Sequence, residues 1–207
     1  MEEDAFARLH ATWRRLGYPF ETLVPSYATA LGSSGDNPAA LSELLGIIQN
    51  SGVRLPAVRI AELRFGDGTP YDTRLTRPAP DGERVLPAVV ATALRRELVG
   101  VVEQGTGRRL AGGVALADGR VLAIGGKTGT GDNRFVTTSA GGRASRVVNR
   151  TATFAFTIGE RHFGTIVAFV PGPEAARYDF TSGLPVQLLK HLLPVLRPVL
   201  EPSEPVA

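Results

Sequence analysis

Residues 123–133, AIGGKTGTGDN, are the densest cluster of chemistry-bearing groups in the chain. An ammonium at Lys127 and hydroxyls at Thr128 and Thr130 stand among glycines that let a ligand come close to the backbone. Such groups together recognise an anion. The lysine is itself informative: of the 23 Lys and Arg residues only Lys127 and Lys190 are lysines, so arginine is the default cation. A lysine here suits a site that needs a compact, flexible point charge rather than a planar fork.

Two anions fit such a group. A phosphate-binding loop reads G-x-x-x-x-G-K-[ST] between a strand and a helix. Gly126-Lys127-Thr128 supplies its second half, but the first glycine should stand at 121, where the chain has Val121. The following GTGDNRF is rich in helix-breaking residues, where a phosphate loop needs a helix N-terminus to face the anion. Spacing and context therefore count against a phosphate loop and leave the other reading, a strand edge, whose backbone groups can take up an extended acyl or peptide ligand. On such an edge Lys127 would offer an ammonium, Thr128 and Thr130 hydroxyls, and Gly129 a close approach to the backbone.

The elements that must position this strand are legible from periodicity. Phe6, Leu9, Trp13 and Leu16 recur at helical steps over residues 4–16, with Gly17 as the stop. Asn37 as N-cap, Pro38 at the first helical position and Leu41, Leu44, Leu45 and Ile48 mark a second helix, closed by Asn50-Ser51-Gly52. Residues 57–65 and 70–77 read as an exposed hairpin around Gly66-Asp67-Gly68. A third helix runs from Pro87 to Glu103. The period then changes to two. Strands are expected over 120–130, 151–158 and 162–170, with a long mobile loop rich in Gly, Ser, Thr and Arg at 131–150. In that loop Arg134, Arg143, Arg146 and Arg150 read as a rim of the cleft. A last helix is expected over 183–193, limited by Pro194 and Pro198. The order gives an α+β class, an antiparallel sheet with helices packed on it, with one domain over residues 1–200 and a disordered tail at 201–207.

Composition narrows the functions. At 207 residues with 43% hydrophobic content the chain has material for one core. A net charge of +3, without aromatics interleaved among the basic residues, argues against nucleic acid. No cysteine is present, so disulfides and thiolate metal sites are excluded, and His10, His162 and His191 lack metal-ligand spacing. No metal and no cofactor are expected. No apolar run reaches the ~18 residues of a membrane span.

Over Pro25–Leu193 the sequence resembles the C-terminal part of a penicillin-binding protein transpeptidase domain of the bifunctional, class A kind. VPSYATALGSSGDNPAALSELLGIIQNSGVRLP is similar to that family's Pro-Ser-x-Ala-Leu-Gly-Ser stretch, following helix and Asn-x-Gly turn, with an extra residue around Thr29. LRRELVGVVEQGTGRRL resembles the helix and Gly-Thr turn before the motif strand, and GGKTGTGDN the Lys-Thr-Gly signature itself. RTATFAFTIGERHFGTIVAFV and GLPVQLLKHLL resemble the strands that complete the sheet and the closing helix. The resemblance implies a β-lactamase/transpeptidase-like fold that is incomplete at its N-terminal side. It implies peptidoglycan stem peptides or β-lactams as ligands, and a periplasmic, membrane-anchored parent protein. It assigns substrate docking to Lys127, Thr128, Gly129 and Thr130, and catalytic parts to Lys127 and to Thr130. The Thr130 N–H would form half of an oxyanion hole, a donor worth ~3 kcal/mol in other acyl-transfer enzymes.

The family's nucleophile lies in Ser-x-x-Lys. None of the nine serines has lysine three residues on, and none has asparagine two residues on for the Ser-x-Asn element. Ser33 and Ser34 read as turn and cap residues. A serine hydroxyl without a nearby base is a poor nucleophile. The expectation is therefore a D,D-transpeptidase portion that docks substrate while an upstream part of the same domain, its expected partner, supplies the serine. The alternative is a non-catalytic binding or scaffold protein of the same fold.

Overall fold

The computed structural model describes residues 2–31, 37–139 and 142–201. Its elements in chain order are α1 (Glu2–Arg15), α2 (Pro38–Gln49), β1 (Val53–Arg54), β2 (Glu62–Phe65), β3 (Thr73–Thr76) and β4 (Glu83–Arg84). They are followed by α3 (Ala88–Gln104), β5 (Val114–Ala115), β6 (Val121–Leu122), β7 (Ile124–Ser139), β8 (Gly142–Ile158), β9 (His162–Pro171) and α4 (Gly183–Leu200).

The principal sheet is antiparallel in the order β7-β8-β9, so β7 borders it. Successive residues of β8 face opposite sides, and each side has its own helices. Phe154, fully buried, joins Ile124, Ile158, Val102 from α3 and Val186, Leu189 and Leu200 from α4. Ala155 on the other side packs with Leu45 and Ile48 of α2 and with Leu98 of α3. The result is the expected α+β class, with a helix layer on each face.

Local signals explain the helix bounds. The Asn37 side chain accepts from the Ala40 N–H at 2.8 Å, and Pro38 needs no N–H partner at the helix start. Gly17 ends α1 at φ 98°, and Gly52, at φ 88°, follows α2. The buried Gln49 amide donates to the Gly159 carbonyl at 2.9 Å, tying the end of α2 to the β8–β9 turn. β2 and β3 pair as the expected hairpin and are exposed throughout.

Three expectations are corrected. Residues 131–150 are not a long loop: β7 runs to Ser139 and β8 starts at Gly142, paired residue for residue with one bulge at Asn133/Arg134. Backbone pairing is indifferent to side-chain polarity, so a Gly, Ser, Thr and Arg composition does not prevent a ladder once the inner hairpin has fixed the register. The final helix continues through Pro194 and Pro198 to Leu200. Each proline removes one backbone bond, and burial of Leu200 with partial burial of Leu193 and Leu196 against the core offsets that loss. Glu201, expected in a disordered tail, caps this end: its Oε1 accepts from the Ala117 N–H and from Arg197 Nε, each at 3.1 Å. The remainder of the tail expectation, residues 202–207, and Ser33 and Ser34 lie outside the described residues.

Candidate functional site

The site is built on the first half of β7. Gly125 and Gly126 are both demanded by packing. A Cβ at Gly125 would stand 3.1 Å from the backbone of Leu98 and Val99, so the glycine admits α3 against the strand. A Cβ at Gly126 would stand 2.5 Å from the Phe154 ring. Once past these two close contacts the strand emerges, and Lys127 is exposed. Gly129 differs. The nearest atom to a Cβ there is Thr153 Cβ at 3.9 Å, so nothing in the chain itself requires glycine at that position.

Lys127, Thr128, Gly129 and Thr130 pair with Ala155, Phe154, Thr153 and Ala152. Among the described residues no strand pairs with the other side of β7 here. The Lys127 ammonium donates to the Thr128 carbonyl oxygen at 2.7 Å and forms no ion pair among the described residues. Thr128 and Thr130 lie on the same face, two residues apart. The Thr128 hydroxyl shares a hydrogen bond of 2.6 Å with the hydroxyl of Thr106, in the turn after α3. The Thr130 hydroxyl accepts the N–H of Ser182, at the start of α4, at 2.8 Å. The four sequence-predicted residues are thus brought together on one open strand edge. Thr128 is followed by strand rather than by a helix start, so the phosphate-loop reading fails on structure as it does on spacing.

Sequence reasoning missed two contributors and misplaced a third. Thr106 carried a weak signal in its flanking glycines, Gly105 and Gly107. Ser182 carried none. Arg150 was expected on a mobile rim. Its side chain is instead only 16% exposed. Nε and Nη2 both donate to the Phe180 carbonyl, at 2.9 and 2.7 Å, and the guanidinium lies 5.5 Å from the centre of the Phe180 ring. No group of three or more His, Asp or Glu residues suited to a metal occurs among the described residues. Among them, too, no helix is long and apolar enough to cross a membrane.

An antiparallel sheet covered by helices on both faces and bordered by a Lys-Thr-Gly strand gives the β-lactamase/transpeptidase-like fold. No family profile matches the chain. Penicillin-binding protein 1B of Escherichia coli K12 is 32% identical over 130 residues, which is 63% of this chain and 14% of that protein. Penicillin-binding protein 3 of Mycobacterium tuberculosis superposes with a TM-score of 0.59 at 22% identity, over 96% of this chain and 48% of that one. Penicillin-binding protein A of M. tuberculosis gives a TM-score of 0.59 at 17% identity, over 93% of this chain and 43% of that one. The chain is thus similar in sequence to part of one penicillin-binding protein and in fold to penicillin-binding proteins of M. tuberculosis, and it spans 14% of the first and about half the length of the solved ones.

Proposed function

We propose that the first half of β7 docks the anionic C-terminus of a peptidoglycan stem peptide for a D,D-transpeptidase reaction. The ligand extends along the strand edge, Lys127 attracts its carboxylate, and the Thr128 and Thr130 hydroxyls receive it. The Thr130 N–H contributes half of the oxyanion hole. The attacking serine, with its lysine base, belongs to residues outside these 207 and would come from the upstream part of the same domain. Acyl transfer then releases the terminal D-Ala and passes the acyl group to an amine. β-Lactams, with which a solved M. tuberculosis neighbour is complexed as ampicillin, would take the same docking edge.

The observation that carries this reading is one strand edge presenting an exposed ammonium, two hydroxyls held from behind, and a glycine that no internal contact requires. The test is titration of the chain with diacetyl-Lys-D-Ala-D-Ala and with its C-terminal amide, followed by NMR. The free acid is expected to bind more tightly, with the preference abolished by Lys127→Ala. Equal binding of acid and amide sinks the docking role. Incubation with a fluorescent penicillin is expected to leave this chain unlabelled, and a covalent adduct would place the nucleophile within it.

A binding protein without chemistry is the second reading, favoured by the lack of any Ser-x-x-Lys in the sequence. In-frame codons for Ser-x-x-Lys and Ser-x-Asn upstream of Met1 decide for the enzyme, and their absence for the binding protein.

A further inference from the structure

We infer that the backbone N–H of Ser182, held in place by Arg150, is a positioning group that commits the Thr130 hydroxyl to donating toward the ligand's carboxylate. The inference rests on the docking role proposed above. A threonine hydroxyl is ambivalent, being both donor and acceptor, whereas a carboxylate only accepts. A hydroxyl facing a carboxylate is useful only when its proton points outward. Ser182 N–H fixes that choice: it donates to Thr130 Oγ1 at 2.8 Å, so an oxygen lone pair is engaged and the proton remains for a ligand. Among the described residues the Thr130 hydroxyl donates to no acceptor, and Thr130 itself is exposed.

An amide performs this task only if its loop stays in place. Arg150 supplies the restraint. It pairs with Asp132 on β7, two positions along from the Thr130↔Ala152 pair, and so stands on the same face as Thr130. From there its two donors grip the carbonyl of Phe180, two residues before Ser182, while its guanidinium carbon lies over the Phe180 ring. One strand thus carries the arginine, the next carries the threonine, and the same short segment, 180–182, connects the two. Thr128 offers a contrast. Its partner Thr106 is another hydroxyl, so either can donate, and the direction is not fixed in the same way.

The amide can be removed without removing the residue's place in the chain. Ser182 has φ −56°, an angle that proline adopts, and its side chain makes no capping bond. Ser182→Pro deletes the N–H, whereas Ser182→Ala keeps it. Diacetyl-Lys-D-Ala-D-Ala and its amide are titrated against both variants, with thermal melting to show that each is folded. Ser182→Pro is expected to lower affinity for the free acid by about three- to tenfold, the range of one ordinary hydrogen bond, and to leave the amide unaffected. Ser182→Ala should bind as the parent does. As a second arm, Arg150→Met should weaken acid binding by about threefold in the parent and have no further effect in a Thr130→Val background. Unchanged acid affinity in Ser182→Pro overturns the inference, as does an equal loss in Ser182→Ala. If Ser182→Pro fails to fold, an Arg150→Met effect that persists in Thr130→Val overturns it. Loss of the acid preference in the parent chain itself overturns the docking role, and this inference with it.

Discussion

Phe154 and Trp13 are both large aromatic residues, yet only Phe154 is sealed from solvent. Phe154 lies on the middle strand of the sheet, over Gly126 and against α4. Trp13 sits on α1, which contributes no residue to either buried cluster. Its surroundings are edge-on aromatic contacts, such as Tyr18 at 5.7 Å, and an open groove of about 760 Å³ lined by Phe6, Leu9, Tyr27 and Ala30. The C-terminal end of α1 is tied down by charge and carbonyl contacts: Arg15 to Glu83 at 3.2 Å, and Arg54 to the Arg15 carbonyl at 3.3 Å. The sheet and its helices therefore close a buried core, though α4 and β9 keep Val195, Val199, Phe163 and Phe169 exposed, while α1 contributes no residue to a buried cluster. The strand edge proposed to bind ligand belongs to the first of these regions.

That contrast is open to attack from both ends. Phe154→Ala should cost about 3–5 kcal/mol in a urea titration, because it opens a cavity in a core that α4 and the sheet close on both sides. A loss under 1 kcal/mol would show that the sheet region is as loosely packed as α1. Trp13 is the sole tryptophan, so its fluorescence reports on the N-terminal region alone. In the same titration its midpoint is expected below that of far-UV circular dichroism, and Phe6→Ala should shift the fluorescence midpoint while barely moving the other. Coincident midpoints in the parent would show that the two regions unfold as one.

The smallest effect is expected at the turn between β5 and β6. The Asp118 carboxylate accepts the Arg120 backbone N–H at 3.0 Å and Arg120 Nε at 2.6 Å. These bonds, the backbone one first, hold its carboxyl below the ordinary value. A lowered folded value means that the stabilisation is present above the unfolded value, about 3.9, and is lost as pH falls through the folded one. Since the group is exposed, the contribution is small. Asp118→Asn should lower Tm slightly at neutral pH and leave it equal to the parent's in strong acid; a gap that persists in acid would refute the linkage.

What the sequence revealed and what it concealed divides along the same physical line. Asn37, Pro38 and Gly17 act on their own helix ends, and the Phe154, Phe156 and Ile158 alternation acts within its own strand, so each leaves a local trace. The Lys-Thr-Gly strand was legible for the same reason. Arg150 and Ser182 act across 30 and 52 residues of chain, and nothing adjacent to either announces its partner. The outer halves of β7 and β8 were hidden because their pairing depends on a register set elsewhere. The two prolines of α4 misled because local propensity is overridden when the helix has a core to lie on.

The order β7-β8-β9 also leaves the far margin of the sheet, along β9, without a neighbouring strand among the described residues. Ten residues of extended backbone there present free donors and acceptors in a fixed cadence, flanked by the exposed rings of Phe163 and Phe169. Any extended segment that settles on this margin finds its alignment already dictated, and a second molecule of the chain would serve as well as any other. Isolated at high concentration, the polypeptide is therefore expected to self-associate through this margin, opposite β7, which concentration-dependent sedimentation would reveal.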